Sequence, residues 1–389
     1  VSQYQYTILG GGLVGATTAL ALAKFHLPIC VLETKPRLYE QSADLLEMNT
    51  IALSYASAQL YQYLGLWSEI MPYAEPINEV HVSTRGHWGG ARLSKQQVAY
   101  PALGYVIATE TLKNVLYETL DKIPNVELRF SASLAAVRFE AGQWYCEQDD
   151  KKNFKTQLLL LAEGASSTVR DMLGIGTYRY DYKHHVIMAN VKLSQSLSGC
   201  AVERFIDAGV IALLPWKNNI ATMVLSFPRE KSELFRSYAD AEIMNICQQA
   251  LGQSYGVIEA IGKKIVVPLN MQLSQQHFFK QLLLLGNSVH SIHPIAAQGF
   301  NLSLRDIKRL YVSIAKSVDP AKWGSSLFEL SDYVRTCQSD QQKIIAATDK
   351  LAHSLEKVPG FLKAVSINSL DTLMPMKALF TRLAMGLDF

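Results

Sequence analysis

The sequence predicts an α/β protein carrying an α+β insertion, on three observations. A strand, a triple-glycine turn, a helix and a second strand follow one another within the first 33 residues. A β-rich stretch with turn-like breaks fills the middle, and a buried strand followed by helices returns after it. At 389 residues the chain exceeds one typical core, so two closely packed domains are expected.

The elements run in order. Residues 4–9 (YQYTIL) read as a short buried strand, Leu13 to Phe25 as an Ala-rich helix and 29–33 (ICVLE) as a second buried strand. That is a βαβ unit with a parallel pair. Residues 50–64 carry apolar positions at Ile51, Leu53, Tyr55, Leu60 and Leu64 and are expected to be helical. A helix over 109–121 and a strand over 126–131 follow. The middle segments 185–193, 202–207, 210–214, 220–227 and 263–270 are β-rich, broken at Asp207-Ala208-Gly209 and Lys217-Asn218-Asn219, and predict an antiparallel sheet inserted into the α/β domain. Residues 281–285 return to a buried strand and 299–316 to a helix. From about 325 the signal is helical, ending in an apolar helix over 375–389.

Composition is that of an ordered globular chain, with 49% hydrophobic and 18% charged residues. A formal charge of +3 with dispersed Lys and Arg gives no basis for nucleic-acid binding, which needs a concentrated basic face. Cys30, Cys146, Cys200, Cys247 and Cys337 form an odd set without a C-x-x-C pair, so neither a disulfide framework nor a zinc site is expected, and a reducing cytosol fits. His184 and His185 are adjacent on a strand and point to opposite faces, which argues against shared metal ligation. No apolar run approaches the ~18–20 residues needed to span a bilayer. The stretch from Thr7 to Ala23 lacks a basic leader and is interrupted by glycines, so a cytoplasmic protein is expected rather than a secreted one.

Gly10-Gly11-Gly12-Leu13-Val14-Gly15 fits G-x-G-x-x-G. Gly10 permits a tight turn, Gly12 lets the backbone approach a diphosphate, and Gly15 lets the helix pack closely on the strand. The helix N-terminus presents the positive end of its dipole to phosphate. Eighteen residues beyond Gly15, Glu33 ends the second strand, where a carboxylate accepts hydrogen bonds from ribose hydroxyls. The context of strand, turn and helix is Rossmann-like. Taken alone, it does not separate FAD from NAD.

Two later segments carry more specific information. Residues 159–171, LLLAEGASSTVRD, resemble the Asp-Gly segment of the FAD-dependent aromatic hydroxylases, with Glu163 and Gly164 at the paired positions and Ser167-Thr168-Val169-Arg170 opening the next helix. Residues 282–306, LLLLGNSVHSIHPIAAQGFNLSLRD, resemble the segment in which Gly-Asp meets the ribityl or diphosphate part and a Pro-x-x-Gly-Gln-Gly-x-Asn loop faces the isoalloxazine. Gly286, Asn287, Pro294, Ala297, Gln298, Gly299, Phe300 and Asn301 occupy those positions. Independently of the resemblance, a helix beginning at Gln298 can aim N–H groups at negative charge on a reduced flavin.

Within that class the chain is similar, over essentially its whole length, to the ubiquinone-biosynthesis hydroxylases. Residues 80–87, VHVSTRGH, and Asn287 resemble the branch acting on 2-polyprenyl-6-methoxyphenol. The resemblance implies a Rossmann-like FAD-binding domain over 1–74, 100–176 and 275–324, an antiparallel-sheet substrate domain over 75–99 and 177–274, and a C-terminal helical region over 325–389. It implies FAD as resident cofactor, with Thr34 and Asn49 beside it as well as the residues above. It further implies that NAD(P)H is a transient co-substrate and that one oxygen atom of O2 enters an electron-rich phenol ring. Three positions depart from the family pattern: Asn49 stands where Arg is usual, Glu163 where Asp is, and Ala297 where the loop's first Gly is. Losing a charged diphosphate contact costs about 1–3 kcal/mol, or ~10- to 100-fold in affinity.

For catalysis, His293 beside Pro294 is the candidate to assist the phenol proton, with His290 second. Arg85 and His87 are candidates for substrate or nicotinamide contact. Phe205, Leu213, Leu214, Trp216 and Met223 are candidate liners of an apolar cavity for the prenyl tail, set against the plainer reading of core packing. The 375–389 helix, mixing Lys377, Arg382 and Asp388 with Phe380, Leu383 and Met385, suits docking on a membrane surface, on quinone-biosynthesis partner proteins, or on its own fold. Alternatives are a flavin hydroxylase acting on another ring position or another aromatic, a non-catalytic scaffold, and a nicotinamide dehydrogenase that uses the first fingerprint alone.

Overall fold

Runs of buried apolar residues decide where the central sheet forms. The computed structural model describes residues 2–37, 42, 44–87, 89–207, 209–292, 298–357 and 385–387, with side chains in the last helix to residue 346. β1 (Ser2–Leu9), α1 (Leu13–Ala23) and β2 (Ile29–Glu33) form the opening βαβ unit as expected. Tyr6, Ile8, Ile29 and Ala19 are all buried, as a parallel sheet covered on both faces requires.

β3 (Thr50–Ser54) runs directly into α2 (Tyr55–Tyr63), followed by α3 (Trp67–Ile70), β4 (Glu75–Ile77), β5 (Glu79–Thr84), β6 (Gly90–Ser94), α4 (Lys95–Val98) and β7 (Gly104–Ala108). The expectation of one helix over 50–64 is corrected here. Ile51, Leu53 and Tyr55 alternate at period two, and Thr50–Ser54 pair antiparallel with β7. The switch falls at Ser54, whose hydroxyl accepts from the Ser57 amide at 3.2 Å and caps α2.

α5 (Thr109–Leu120), β8 (Val126–Phe130), β9 (Leu134–Glu140), β10 (Gln143–Gln148), β11 (Asn153–Leu161) and α6 (Thr168–Met172) follow. The β-rich middle is β12 (Thr177–Leu193), β13 (Cys200–Ile206), β14 (Gly209–Pro215) and β15 (Ile220–Pro228), then α7 (Ser232–Ser237), α8 (Asp240–Leu251), β16 (Ile258–Ile261) and β17 (Ile265–Ser274). β12 begins well before the expected residue 185, because its first part pairs with β17 across a bulge between Asp181 and His185. Among the described residues the last elements are β18 (Leu282–Leu284), β19 (His290–Ser291), α9 (Gln298–Lys316) and α10 (Leu327–Lys357).

Five strands lie parallel in the order β8-β2-β1-β11-β18, and β10 and β9 add antiparallel beside the first part of β11. The second sheet has nine strands: β19-β17-β12-β15-β14-β13-β5-β6 in order, with β16 against β12. It is antiparallel except where β5 runs parallel to β13. β3, β7 and β4 make a third, small sheet. One face of the nine-stranded sheet, with Ile211, Leu213 and Met223, packs against Ile243, Cys247 and Leu251 of α8. Leu214 and Trp216 on the other face meet Leu93, Val106 and Ala108, so the small sheet lies against that side.

The five cysteines are free. His184 and His185 turn to different partners, the Tyr182 carbonyl at 3.0 Å and the Ser232 hydroxyl at 2.6 Å. Among the described residues no helix is long and apolar enough to cross a membrane. Of the expected 375–389 helix only 385–387 are described, as a turn; the rest lies outside the described residues.

Candidate active site

The triple-glycine turn leaves β1 at its C-terminal end, between β2 and β11. Gly10 sits at φ +94°, and a Cβ there would lie 2.4 Å from the Ala162 carbonyl oxygen. A Cβ on Gly15 would lie 1.8 Å from the Gly10 carbonyl oxygen, so α1 packs on the turn only because Gly15 has no side chain. A Cβ on Gly12, by contrast, would meet nothing within 4 Å. The turn is therefore closed on the protein side at two glycines and open at the third, which is the arrangement a diphosphate requires. Tyr117 donates to the Gly11 carbonyl at 2.7 Å, and the Gly11 amide donates to Glu33 Oε2 at 2.9 Å. Glu33 Oε1 accepts from the Lys35 amide at 2.9 Å and from the Thr34 hydroxyl at 3.3 Å. Its carboxylate is thus held beside the turn, where a ribose would lie.

β11 ends at Leu161 beside the glycine turn and delivers the second segment. Burial raises the Glu163 carboxyl above the usual carboxylate range, opposed by hydrogen bonds from the Ser167 hydroxyl and the Val169 amide. Glu163 and Ser167 together cap α6. Gly164 follows at φ +86° with open space around it. Arg170, buried in the same segment, donates to the Ala165 carbonyl at 2.8 Å and to the Ser288 carbonyl at 3.2 Å, so it ties this segment to the third.

β18 lies parallel to β11 and ends one residue before Leu285 and Gly286. A Cβ on Gly286 would stand 3.1 Å from the methyls of Val14, so the third segment touches the first helical turn after the fingerprint. Leu13, Val14 and Phe300 join one apolar core. Asn287 is exposed. α9 begins at Gln298, which is buried, and Gly299 and Phe300 are half-buried behind it. Asn301 accepts from the Ser54 amide and the Ser57 hydroxyl, both at 2.7 Å, and donates to the Ala52 carbonyl at 3.1 Å. That side chain fixes the first turn of α9 onto the junction of β3 and α2.

The ends of β1, β11 and β18 thus stand side by side, and the crevice beyond the carboxyl ends of parallel strands is where such sheets bind ligands. An extended dinucleotide fits these residues on two grounds: the open space at Gly12 and the carboxylate of Glu33 held against the turn. Asn49 is exposed just ahead of β3, and its carbonyl accepts from the Thr109 amide at 2.8 Å. His293, Pro294 and Ala297 lie outside the described residues.

A second wall is the face of the nine-stranded sheet opposite α8. Asn190 donates to the carbonyls of Leu45 at 2.9 Å and Met48 at 2.6 Å, and the Thr222 hydroxyl lies 2.5 Å from that of Thr50. This face therefore lies over residues 45–50 and β3. Of the candidate cavity liners, Leu214 and Trp216 are on it, and Phe205 shares it by strand alternation; Leu213 and Met223 point the other way, into the core beneath α8, as core packing predicts. Arg85 and His87 are exposed in the turn joining β5 and β6, where the Arg85 amide donates to the Phe205 carbonyl at 2.8 Å. A cavity of about 550 Å³ between α2, α9 and α10 is lined by none of these groups. Sequence reasoning missed Asn190, Thr222 and Tyr117, whose parts rest on contacts between distant segments of the chain.

Three comparisons with known proteins agree with this geometry. The chain is 28% identical to ubiquinone hydroxylase UbiL of Rhodospirillum rubrum over 97% of its length and 89% of the relative's. It is 28% identical to the 3-demethoxyubiquinol 3-hydroxylase of Escherichia coli over 79% of its length and 78% of that protein's. Its fold matches the crystal structure of p-nitrophenol 4-monooxygenase PnpA from Pseudomonas putida with a TM-score of 0.81 at 17% identity, covering 100% of this chain and 99% of that one. A family model described as an FAD binding domain matches residues 3–340. With the model spanning most of the chain and the glycine turn, strand ends and Glu33 shaped for the cofactor, the chain belongs to this FAD binding domain family and is an FAD-dependent monooxygenase.

Proposed function

We propose that the chain hydroxylates the ring of a polyprenylated phenol in ubiquinone biosynthesis, with 2-polyprenyl-6-methoxyphenol as substrate and NAD(P)H and O2 as co-substrates. The observation that carries this reading is likeness along 97% of the chain to a relative named as a ubiquinone hydroxylase. Segments 80–87 and 286–306 support the branch and hence the ring position. In this reading residues 1–74, 100–176 and 275–324 hold the cofactor, and 75–99 with 177–274 hold the substrate. Gly10, Gly12, Leu13, Val14 and Gly15 receive the diphosphate, Glu33 and Thr34 the ribose, and Asn49, Glu163, Gly164, Gly286 and Asn287 flank the remainder. Residues 293–301 meet the ring system. Bound FAD supplies the redox chemistry, taking electrons from NAD(P)H and delivering one atom of O2 to the substrate.

The protein's own tasks are orientation and exclusion of water. The amides at the start of α9 favour negative charge nearby. Leu214, Trp216 and Phe205 offer an apolar wall to ring and tail. Arg85 and His87, exposed in the turn between β5 and β6, contact substrate or nicotinamide in this reading, and the 375–389 segment meets a membrane or partner proteins of the pathway.

Deleting the gene and analysing quinone intermediates by mass spectrometry tests the substrate. Accumulation of 2-polyprenyl-6-methoxyphenol is the expected result. Accumulation of a demethoxyubiquinol would instead support hydroxylation at a later ring position, a reading favoured by the likeness to the E. coli hydroxylase.

A further inference from the structure

Glu203 is the one acid that strand alternation places on the sheet face over β3 from β13. Val202 packs into the core beneath α8 and Arg204 donates to the Leu251 carbonyl at the end of α8, so Glu203 between them points the opposite way. Its cross-strand partners are Val82 on β5 and Ala212 on β14, and Val224 of β15 is one strand further on. Ala201 and Phe205 flank it along its own strand. Two positions from Val82, Thr84 has a buried hydroxyl without a hydrogen-bond partner among the described residues. No titratable side chain faces Glu203 from β5, β6, β14 or β15: the residues on that face are Val80, Val82 and Thr84; Ala91 and Leu93; Val210, Ala212 and Leu214; and Thr222 and Val224. Arg85 is exposed.

Glu203 itself is half-buried and forms no hydrogen bond or ion pair among the described residues. With no protein partner and part of its surface open, this carboxyl in an apolar wall is available to a ligand that enters beside it. Thr222, next to Val224 on the same face, lies against Thr50 of β3, and β3 is bonded to the first turn of α9. Glu203 therefore lies on the wall that covers the crevice.

Resting on the reading above, we propose that Glu203 contacts the phenolic hydroxyl of the substrate and takes its proton. The phenol O–H bond breaks, the proton moves to a carboxylate oxygen of Glu203, and the electron pair stays on the phenolate oxygen. No oxidant is consumed. The phenolate is the more electron-rich ring, which favours attack by an electrophilic oxygen. Burial pushes the Glu203 carboxyl up to about 7, so a proton can be exchanged near neutral pH. The carboxylate is the working form, so activity rises with pH through that value.

The test uses purified wild-type, E203Q and E203D holoenzyme with 2-methoxy-6-prenylphenol, carrying one isoprene unit, and its methyl ether. In wild type we expect a phenolate ultraviolet band on binding the phenol, tighter binding of the phenol than of the ether by at least about tenfold, and kcat/KM rising through pH 7. E203Q should keep its FAD, lose the band and the discrimination, and lose ~10²-fold or more in kcat/KM along with the rising limb. E203D, withdrawn by one methylene, should lose about tenfold and keep a rising limb; if E203Q sheds FAD, E203D decides. Variants matching wild type in band, discrimination and pH profile overturn the proposal. If wild type binds the phenol as phenolate but forms no hydroxylated product, the substrate assignment fails while the role of Glu203 stands.

Discussion

At Gly12 and Gly15 the same substitution has opposite expected consequences. Gly15→Ala sets a methyl 1.8 Å from a backbone oxygen, so the helix must move away from the turn. Overpacking of this kind costs about 1–3 kcal/mol or more, and the melting temperature of the apoprotein should fall accordingly. Gly12 has φ −58° and ψ −177°, a backbone any residue adopts, and open space beside it. Gly12→Ala should leave apoprotein stability within ~0.5 kcal/mol yet weaken FAD tenfold or more in a flavin titration, because the added methyl takes space that the diphosphate needs. Equal FAD affinity in Gly12→Ala and wild type would count against the cofactor's path along this turn. Both glycines were legible in the sequence because their constraint is local: the six residues from Gly10 to Gly15 state it. Glu203 was not. Its peculiarity depends on which face of β13 is lined by α8, and that is decided by strands far away in the chain.

Among elements, the first turn of α9 is tied to β3 and α2 by the hydrogen bonds of one side chain. Asn301 spans the Ser54 amide, the Ser57 hydroxyl and the Ala52 carbonyl, so it fastens the helix that opens beside the crevice to β3 and α2. Asn301→Ala strands a buried backbone amide and carbonyl, at an expected cost of about 2–4 kcal/mol in chemical denaturation. Asn301→Asp keeps both acceptor contacts and loses the donor to Ala52, so it should cost less. Its sequence position was expected to be a cofactor contact, and the side chain turns out to reach into the β3–α2 junction. The same junction explains the misread helix over 50–64. Alternation at Ile51, Leu53 and Tyr55 runs without a break into a helical pattern, and the only punctuation is Ser54. The βαβ unit and the strands β13 to β15 were readable because their apolar runs are bounded by Gly or Asn turns. β5 and β6 were hidden because they mix charge with short apolar pairs, and the strand that joins them to the sheet, β13 beside β5, lies more than a hundred residues away.

At the scale of the whole molecule, the cofactor crevice and the sheet above it are joined by a polar seam rather than by apolar contact alone. Asn190 holds the Leu45 and Met48 carbonyls and accepts from Thr222 at 2.8 Å, while Thr222 meets Thr50. Since β3 begins at Thr50 and carries the bonds to Asn301, the seam sets the spacing between the substrate-facing wall and the start of α9. A monooxygenase needs that spacing closed to water while an oxygen atom is transferred. Asn190→Ala leaves two carbonyls without their side-chain donor, which should lower stability by about 1–3 kcal/mol. The more telling consequence lies in coupling: with FAD still bound, NAD(P)H consumption should continue while hydroxylated product per NAD(P)H falls several-fold and hydrogen peroxide rises to match. Measuring product, NAD(P)H and peroxide in one reaction decides it. A variant that is less stable but equally coupled would mean the seam only holds the layers together.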